Sequence, residues 1–498
     1  MDFQFETEKI TCLEPVLQEV RSTELTQQIK LPDAMPDIGK ILAAWGQPIL
    51  RGKEWADGRL SATGGMLVWV LYGPEDGSSP RCLDGWIPFQ LKWELPEDAA
   101  EGTARFLCRT RLVEGRGVSP RKISVRCDLA VQAEAYSPLT RELETPAKES
   151  GDVELLVQTY PLRLMKEAGE KSFSLEEELQ LPDSAPQPEK LLYFRMEPGI
   201  TDKKALADKM VFRGNGDLHI LYRSEEGKLQ SWDFALPFSQ YAQLDREYGS
   251  DAQADVMPAV TGLECEISEE GTLRLKAGVT AQYILSDKQM LTVLEDAYCP
   301  GRELSLRRET VELPVVLENR REALYAEQTL RADVGDVADA GFLTDLPRQR
   351  RGEDRVELEI PGTFQLLYYD TQGELCSGSA RWEGKLDFSA DDQSQITALP
   401  QPQEPQTVAG AGQVLMKTEL AMDLTTLARQ QLPLVTGLEL GAQKLPDPNR
   451  PALILRRAGD RRLWDIAKDS GAAVADIRRA NGLEGEPLPG QMLLIPVK

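Results

Sequence analysis

Apolar and polar residues alternate with a period of two along most of this chain. Ile123, Val125, Cys127, Leu129, Val131, Ala133 and Ala135 take every second position of one stretch. Leu273, Leu275, Ala277, Val279, Ala281 and Tyr283 repeat the pattern 150 residues later (273 − 123). Met416, Leu420, Met422 and Leu424 keep it a third time. Such alternation gives a β-strand one dry face and one wet face, and it does not fit the 3.6-residue period of a helix. Shorter runs behave alike: Met66, Val68, Val70 and Tyr72; Leu218, Ile220 and Tyr222; Phe364, Leu366 and Tyr368. In each, the tyrosine stands five residues before a glycine, at Gly77, Gly227 and Gly373. Alternation closed by a glycine turn is a hairpin signature. The tyrosines are expected to face a core.

The same spacing governs a more unusual stretch. Leu31-Pro32-Asp33-Ala34-Met35-Pro36-Asp37-Ile38 returns as Leu181-Pro182-Asp183-Ser184-Ala185-Pro186, and a worn echo stands at Leu330-Arg331-Ala332-Asp333. Prolines force extended backbone on the residues before them, so this element reads as a stiff turn. An aromatic-proline strand follows at Trp86-Ile87-Pro88-Phe89 and at Phe234-Ala235-Leu236-Pro237-Phe238, where proline implies a sheet edge. Polar segments at Pro96–Gly102, Gln240–Asp255 and Ser389–Gln406 read as loops, and Ser137–Asp152 as a linker. Self-similarity at a fixed period signals a module written several times. The expected fold class is mainly β: three tandem antiparallel sandwich or barrel-like units at residues 1–145, 146–298 and a divergent 299–442.

The end of the chain has a different pattern. After a proline-rich linker from Gly441 to Pro451, residues 451–498 read as a short strand, two helices and a last strand. Leu453-Ile454-Leu455 opens it. Leu463, Ile466 and Ala467 are spaced for one helix face, Val474 and Ile477 for another, and Asn481-Gly482 is a helix stop. Met492 to Pro496 closes the module. It carries eight basic and six acidic side chains, so +2, whereas the whole chain carries −24. The preceding 450 residues therefore hold −26.

That acidity argues against nucleic acid and anionic bilayers, both of which call for clustered lysine and arginine. The first residues, Met1-Asp2-Phe3-Gln4-Phe5-Glu6, are acidic and do not form an export signal. The seven cysteines are scattered and never spaced as CxxC, so free, mostly buried thiols are expected. His219 is the single histidine and reads as a strand side chain. Zinc sites and histidine-dependent triads lack raw material, and no phosphate-binding or nucleophile-elbow motif occurs. No catalytic residue, metal ligand or cofactor is assigned, and no enzyme is expected.

Two resemblances carry the functional expectation. Gly459-Asp460, Leu463-Trp464-Asp465-Ile466-Ala467, Asn481-Gly482-Leu483, Leu488-Pro489-Gly490-Gln491 and Ile495-Pro496 resemble a LysM domain over the whole tail. The loop Gly459-Asp460-Arg461-Arg462 is one residue longer than the family pattern and holds two arginines. The resemblance implies a ligand groove at Gly459, Asp460, Arg461, Arg462, Leu463, Trp464, Asn481, Gly482, Leu483 and Pro489. The repeats resemble the SPOCS domain of endospore-forming bacteria, with Leu31–Leu42 the most telling piece. SPOCS repeats followed by a LysM domain resemble a family of spore coat assembly proteins. The resemblance implies a non-enzymatic adaptor in the mother cell, at the outer surface of the forespore. Its partner would be the coat morphogenetic ATPase, contacted through the LysM domain. The alternative it leaves is a module for peptidoglycan, reading N-acetylglucosamine chains.

Overall fold

The computed structural model describes residues 5–146, 153–268, 271–352, 355–389, 394–444 and 451–497. The protein is mainly β, 78% strand and 3% helix, with no closed barrel among the described residues. The first block runs through β1 (Phe5–Lys30), β2 (Ile38–Ala56), β3 (Arg59–Pro74), β4 (Arg81–Glu94), β5 (Thr103–Ser119) and β6 (Lys122–Pro146). It forms two antiparallel sheets, in the orders β1-β6-β5 and β2-β3-β4. Val68, Val70 and Tyr72 of one sheet and Val125, Cys127 and Leu129 of the other are fully buried in one cluster. The alternation read from sequence is this dry face.

The second block repeats the order with β7 (Glu154–Leu179), β8 (Pro188–Ser224), β9 (Leu229–Tyr248), β10 (Gln253–Ile267) and β11 (Leu273–Tyr298). Its sheets are β10-β11-β7 and β8-β9. The long β8 folds back on itself at Ala207, whose φ is 52°. Its two halves approach so closely at Gly214 that an added Cβ would lie 1.9 Å from the Gly199 carbonyl oxygen. Gly64, 150 residues earlier, stands 2.1 Å from the Ile49 carbonyl by the same measure. Only glycine fits there.

The third block has β12 (Arg302–Arg331), β13 (Val334–Thr344), β14 (Arg348–Arg351), β15 (Arg355–Asp370), β16 (Leu375–Ser389), β17 (Gln395–Pro402), β18 (Gln406–Gly410) and β19 (Gln413–Gln443). One sheet is β12-β19-β17 with β18 on β19, and the other is β13-β15-β14 with β16 on β15. A small module follows: β20 (Leu453–Arg457), α1 (Leu463–Ser470), α2 (Val474–Asn481) and β21 (Met492–Pro496), with β20 antiparallel to β21.

The proline element joins the two sheets of a block. Leu31 is buried, its N–H donates to the Arg121 carbonyl at 3.0 Å, and the Ile38 N–H donates to the Pro120 carbonyl at 2.9 Å. Tyr72 donates its hydroxyl to the Pro36 carbonyl at 3.0 Å, fixing the corner. The three turn glycines have φ of 73°, 86° and 85°, the left-handed region that a side chain disfavours. Tyr72 and Tyr222 are buried, and Tyr368 is half-buried. Pro88 and Pro237 lie on β4 and β9, both sheet edges.

Several polar stretches are strand rather than loop. Ser137–Asp152 continues β6 as far as Pro146, and residues 147–152 lie outside the described residues. Gln240–Asp255 is mostly β9, and β17 crosses Ser389–Gln406. These segments are polar because they lie at edges and in ribbons wetted on several sides. Residues 445–450 of the expected linker also lie outside the described residues.

The third strand of each outer sheet stops at an equivalent point. β5 begins opposite Tyr136, β10 opposite Ser286 and β17 opposite Leu427. At the same level each long pair takes a β-bulge, which skips Val16, Lys166 and Leu317. Beyond it the pairs continue as three two-stranded ribbons: β1 with β6, β7 with β11, and β12 with β19. A bulge bends and twists its strand. The bent ribbons share one core, in which Ile10, Cys12 and Leu143 meet Leu162, Leu164, Leu291 and Val293, and also Leu313, Leu432 and Leu434.

Equivalent residues also meet below the bulges. Leu107, Met257 and Leu399 pack together, and so do Leu71, Leu221 and Leu367. Contact between like positions is what an approximate three-fold arrangement about a common interior requires.

Because the ribbon core draws on all three blocks, damage in one should reach the others. Leu432→Ala deletes a fully buried side chain from β19 and should cost about 2–5 kcal/mol. Urea unfolding should move as one transition, with hydrogen exchange in β3 and β15 speeding up together. A two-step curve that spares the first block would contradict the shared core.

Candidate functional site in the C-terminal module

The tail builds its surface from two loops on a small core. Leu463, Ile466, Ala467, Ile477, Leu493 and Ile495 are fully buried between the helices and the strand pair. The first loop, Gly459 to Arg462, turns at Gly459 with φ 62° and enters α1 with Arg462 extended. Arg462 makes no side-chain cap. Instead Glu486, from the second loop, accepts the Leu463 N–H at 2.6 Å. A carboxylate at a helix N-terminus is favourable, and this one ties the two loops together. Asn481 clamps α2 to β21. Its amide donates to the Ile477 carbonyl at 2.8 Å and the Leu494 carbonyl at 2.6 Å, and accepts the Leu494 N–H at 2.7 Å. Gly482 ends α2 with φ 63°.

The residues expected to line a groove therefore divide. Leu463, Asn481 and Gly482 hold the module together, and Leu483 is half-buried against its core. Gly459, Asp460, Arg461, Arg462 and Pro489 are exposed. Arg461 pairs with Asp469 at 2.6 Å and Arg462 with Asp465 at 3.3 Å. Both pairs are solvated and contribute little to stability, so the guanidinium groups remain open to a ligand. Leu488, in the second loop, is 72% exposed. The loop surface is exposed and charged.

Trp464 faces away from that surface. It packs edge-on against Tyr298, with ring centroids 4.8 Å apart, and donates its indole N–H to Asp296 at 3.0 Å. Asp296 also receives Lys468 at 2.6 Å and Arg308 at 2.6 Å. Burial pushes its carboxyl up, but these donors outweigh burial and hold it below its ordinary value. Tyr298 donates to the Ala472 carbonyl at 2.8 Å. The tail is thus docked on the end of β11.

The interior of the body holds charge that the sequence reading passed over. Arg105 is buried between Glu134 and Asp255, the latter at 2.6 Å. Asp255 is the 150-residue counterpart of Arg105 (255 − 105), so copies of one position bear opposite charges. Lys203 reaches Asp423 at 2.7 Å, bridging the second and third blocks. Gln282 brackets Phe106, accepting its N–H at 3.0 Å and donating to its carbonyl at 2.9 Å.

His219 lies in a second cluster. Its Nδ1 is 2.6 Å from Asp233 and its Nε2 is 2.8 Å from Asp339 of the third block. Glu404 is 3.8 Å away and pairs with Arg195. The ligating atoms of His219, Asp233 and Glu404 lie within 4.8 Å of one another, a spacing that a cation could bridge. Burial lowers the imidazole pKa, but Asp339 and Asp233 outweigh it and raise it to about 10. With its two carboxylate partners the ring forms an ion network that joins the second and third blocks.

The cysteines fit the expectation of free, mostly buried thiols. All seven are free. Burial pushes Cys12 up to about 11 and Cys108, Cys127 and Cys265 up to about 12, far from the thiolate that reactivity requires.

Residues 187–268, spanning β8, β9 and β10, match the family model described as SipL, SPOCS domain. The match lies within the second block and covers neither Leu31–Leu42 nor the tail. No curated protein and no solved structure matches the chain. Among the described residues no helix is long and apolar enough to cross a membrane.

Two outcomes follow from this geometry. A group whose folded pKa is raised adds stability that is complete below its unfolded value, near 6.5, and disappears as pH climbs through about 10. The urea midpoint of the native chain should fall across that window, and His219→Gln should flatten the fall. Trp464→Phe keeps the ring but removes the bond to Asp296. Hydrogen exchange should then quicken in α1 while β20 and β21 stay protected.

Proposed function

We propose that this chain is a non-enzymatic morphogenetic adaptor of the spore coat, with SPOCS-type sheet blocks as its body and a LysM-like tail as its contact module. The observation that carries this reading is the SipL, SPOCS-domain match at residues 187–268. The order of the chain supports it: three blocks of like strand order, then a strand, two helices and a strand. The proposed partner is the coat morphogenetic ATPase, and the proposed place is the forespore surface within the mother cell. A cationic loop on a body of charge −26 suits recognition of an acidic protein surface, because the body repels what the tail attracts. Arg461 and Arg462 are the proposed contacts, with Asp460, Leu488 and Pro489 beside them.

The test is capture of the purified ATPase by the full chain. Arg461→Glu with Arg462→Glu should weaken capture at least tenfold at moderate salt. Trp464→Ala should weaken it less, because Trp464 acts through docking of α1 on Asp296 and Tyr298. Unchanged capture by the double reversal would remove the tail from the contact. Pelleting of the wild-type chain with purified sacculi, lost in the same variant, would turn the reading towards a glycan ligand.

A further inference from the structure

The groups around His219 come from three separate stretches of the chain. His219 lies on β8, Asp233 at the position paired with it on β9, and Glu404 in the segment between β17 and β18. The two carboxylates approach Nδ1 from different blocks, at 2.6 Å and 3.8 Å. One donor atom of each of the three residues lies within 4.8 Å of the other two. Asp217 stands two residues before His219, on the same face of β8, and its carboxyl feels the charges of Asp233 and Glu404. Asp217, Asp233, Asp339 and Glu404 bring four negative charges to this place, and Arg195 and an imidazolium bring two positive ones. Within this set two negative charges stand in excess.

The far side of the ring is fixed. Buried Asp339 sits 2.8 Å from Nε2 and, as a carboxylate, only accepts there, so a proton resides on Nε2 and Nδ1 faces Asp233 and Glu404. Tyr193 packs against the imidazole with ring centroids 6.0 Å apart, and Trp45 stacks on Tyr193 at 4.7 Å. Glu404 is held as well. The Arg195 Nη2 donates to its two oxygens at 2.7 Å and 2.5 Å, which leaves each oxygen a further lone pair. Metal-bound imidazoles are oriented by a carboxylate on the nitrogen that does not bind, and metal-bound carboxylates by a hydrogen-bond donor. Both supports are present here. The Asp233 side chain is 53% exposed, so the cluster meets solvent on that side and an ion can enter.

We propose that His219 Nδ1, Asp233 and Glu404 bind one divalent transition-metal ion of the zinc class, with water completing its shell. One imidazole and two carboxylates make a donor set that such ions accept, whereas calcium and magnesium favour oxygen alone. Entry of the ion sends to solvent the proton that Nδ1 shares with Asp233, so one proton leaves for each ion bound. The excess of negative charge in the set then falls from two to one. The ligands belong to the second and third blocks, and the ion clamps the two together. The site does not depend on the tail or on the spore-coat reading.

The test uses the full chain, stripped with EDTA and dialysed against zinc chloride. One tightly held equivalent is expected, and it should raise the urea midpoint until EDTA is added back. Asp233→Asn should weaken that equivalent roughly tenfold, and His219→Gln roughly a hundredfold. Cobalt in place of zinc should give visible absorption bands that His219→Gln abolishes. If His219→Gln fails to fold, Asp233→Asn, at a half-exposed side chain, still decides the matter. No tight equivalent, binding unchanged in Asp233→Asn, displacement of the zinc by excess magnesium, or a urea midpoint that ignores zinc would overturn the proposal.

Discussion

A two-stranded ribbon has no interior. Its side chains leave water only if something else covers a face. That constraint shapes this protein, because each block lengthens two strands past the end of its third. Ile10, Leu164 and Leu313 stand on such ribbons, yet all are 1% exposed or less. Each ribbon supplies part of the cover for the others. The bulges at Val16, Lys166 and Leu317 aim the ribbons at one another. Repeats that stack in a line need contact only their neighbours. These blocks instead close around one centre, so their stabilities are coupled.

Closure of three blocks of like strand order within a single chain permits what three identical subunits could not do. In a symmetric trimer the residue at one position meets its own kind about the axis. Here Arg105 meets Asp255, its counterpart in the next copy. Three arginines or three aspartates in that buried place would repel and could not all remain charged. Covalent linkage lets the copies diverge until charge balances. The same reasoning applies to His219, whose Asp339 partner belongs to another block. Buried ion pairs contribute little net stability, but losing one partner strands the other. Such pairs therefore favour one arrangement of the blocks over the shuffled ones that similar sheets could adopt.

Much of the local structure was legible in the sequence, and the assembly was not. Alternation marks strands because each block buries one face of each sheet. Glycines five residues after a tyrosine mark turns because those turns need positive φ. The tail elements fell where the apolar spacing and the Asn481-Gly482 stop put them. Ser137–Pro146 was misread as linker because a ribbon wetted on several sides has no continuous apolar face. His219 looked bland between Leu218 and Ile220. Those neighbours point into the block's own core, while the histidine points outward to a residue 120 positions away. Within one strand nothing announces such a partner. Arg105 and Asp255 could have been found, since the 150-residue register sets opposite charges at one repeat position. Trp464 was assigned to a ligand groove by family pattern. Its actual contact, Tyr298, is invisible until β11 and α1 are placed together.

The divergence of the blocks also makes the three seams unlike one another. Three identical ribbons would close every seam or none. Cys299, Leu304, Leu306, Leu438 and Leu440 make one seam apolar to its tip, and the tail sits on the neighbouring end of β11. Arg141, Glu142, Arg307 and Glu309 make another too polar to collapse, although its floor remains apolar. Charged side chains flanking an open edge usually discourage pairing with unwanted strands. Among the described residues the same long strands carry the shared core at one level and an edge without a strand partner at the next.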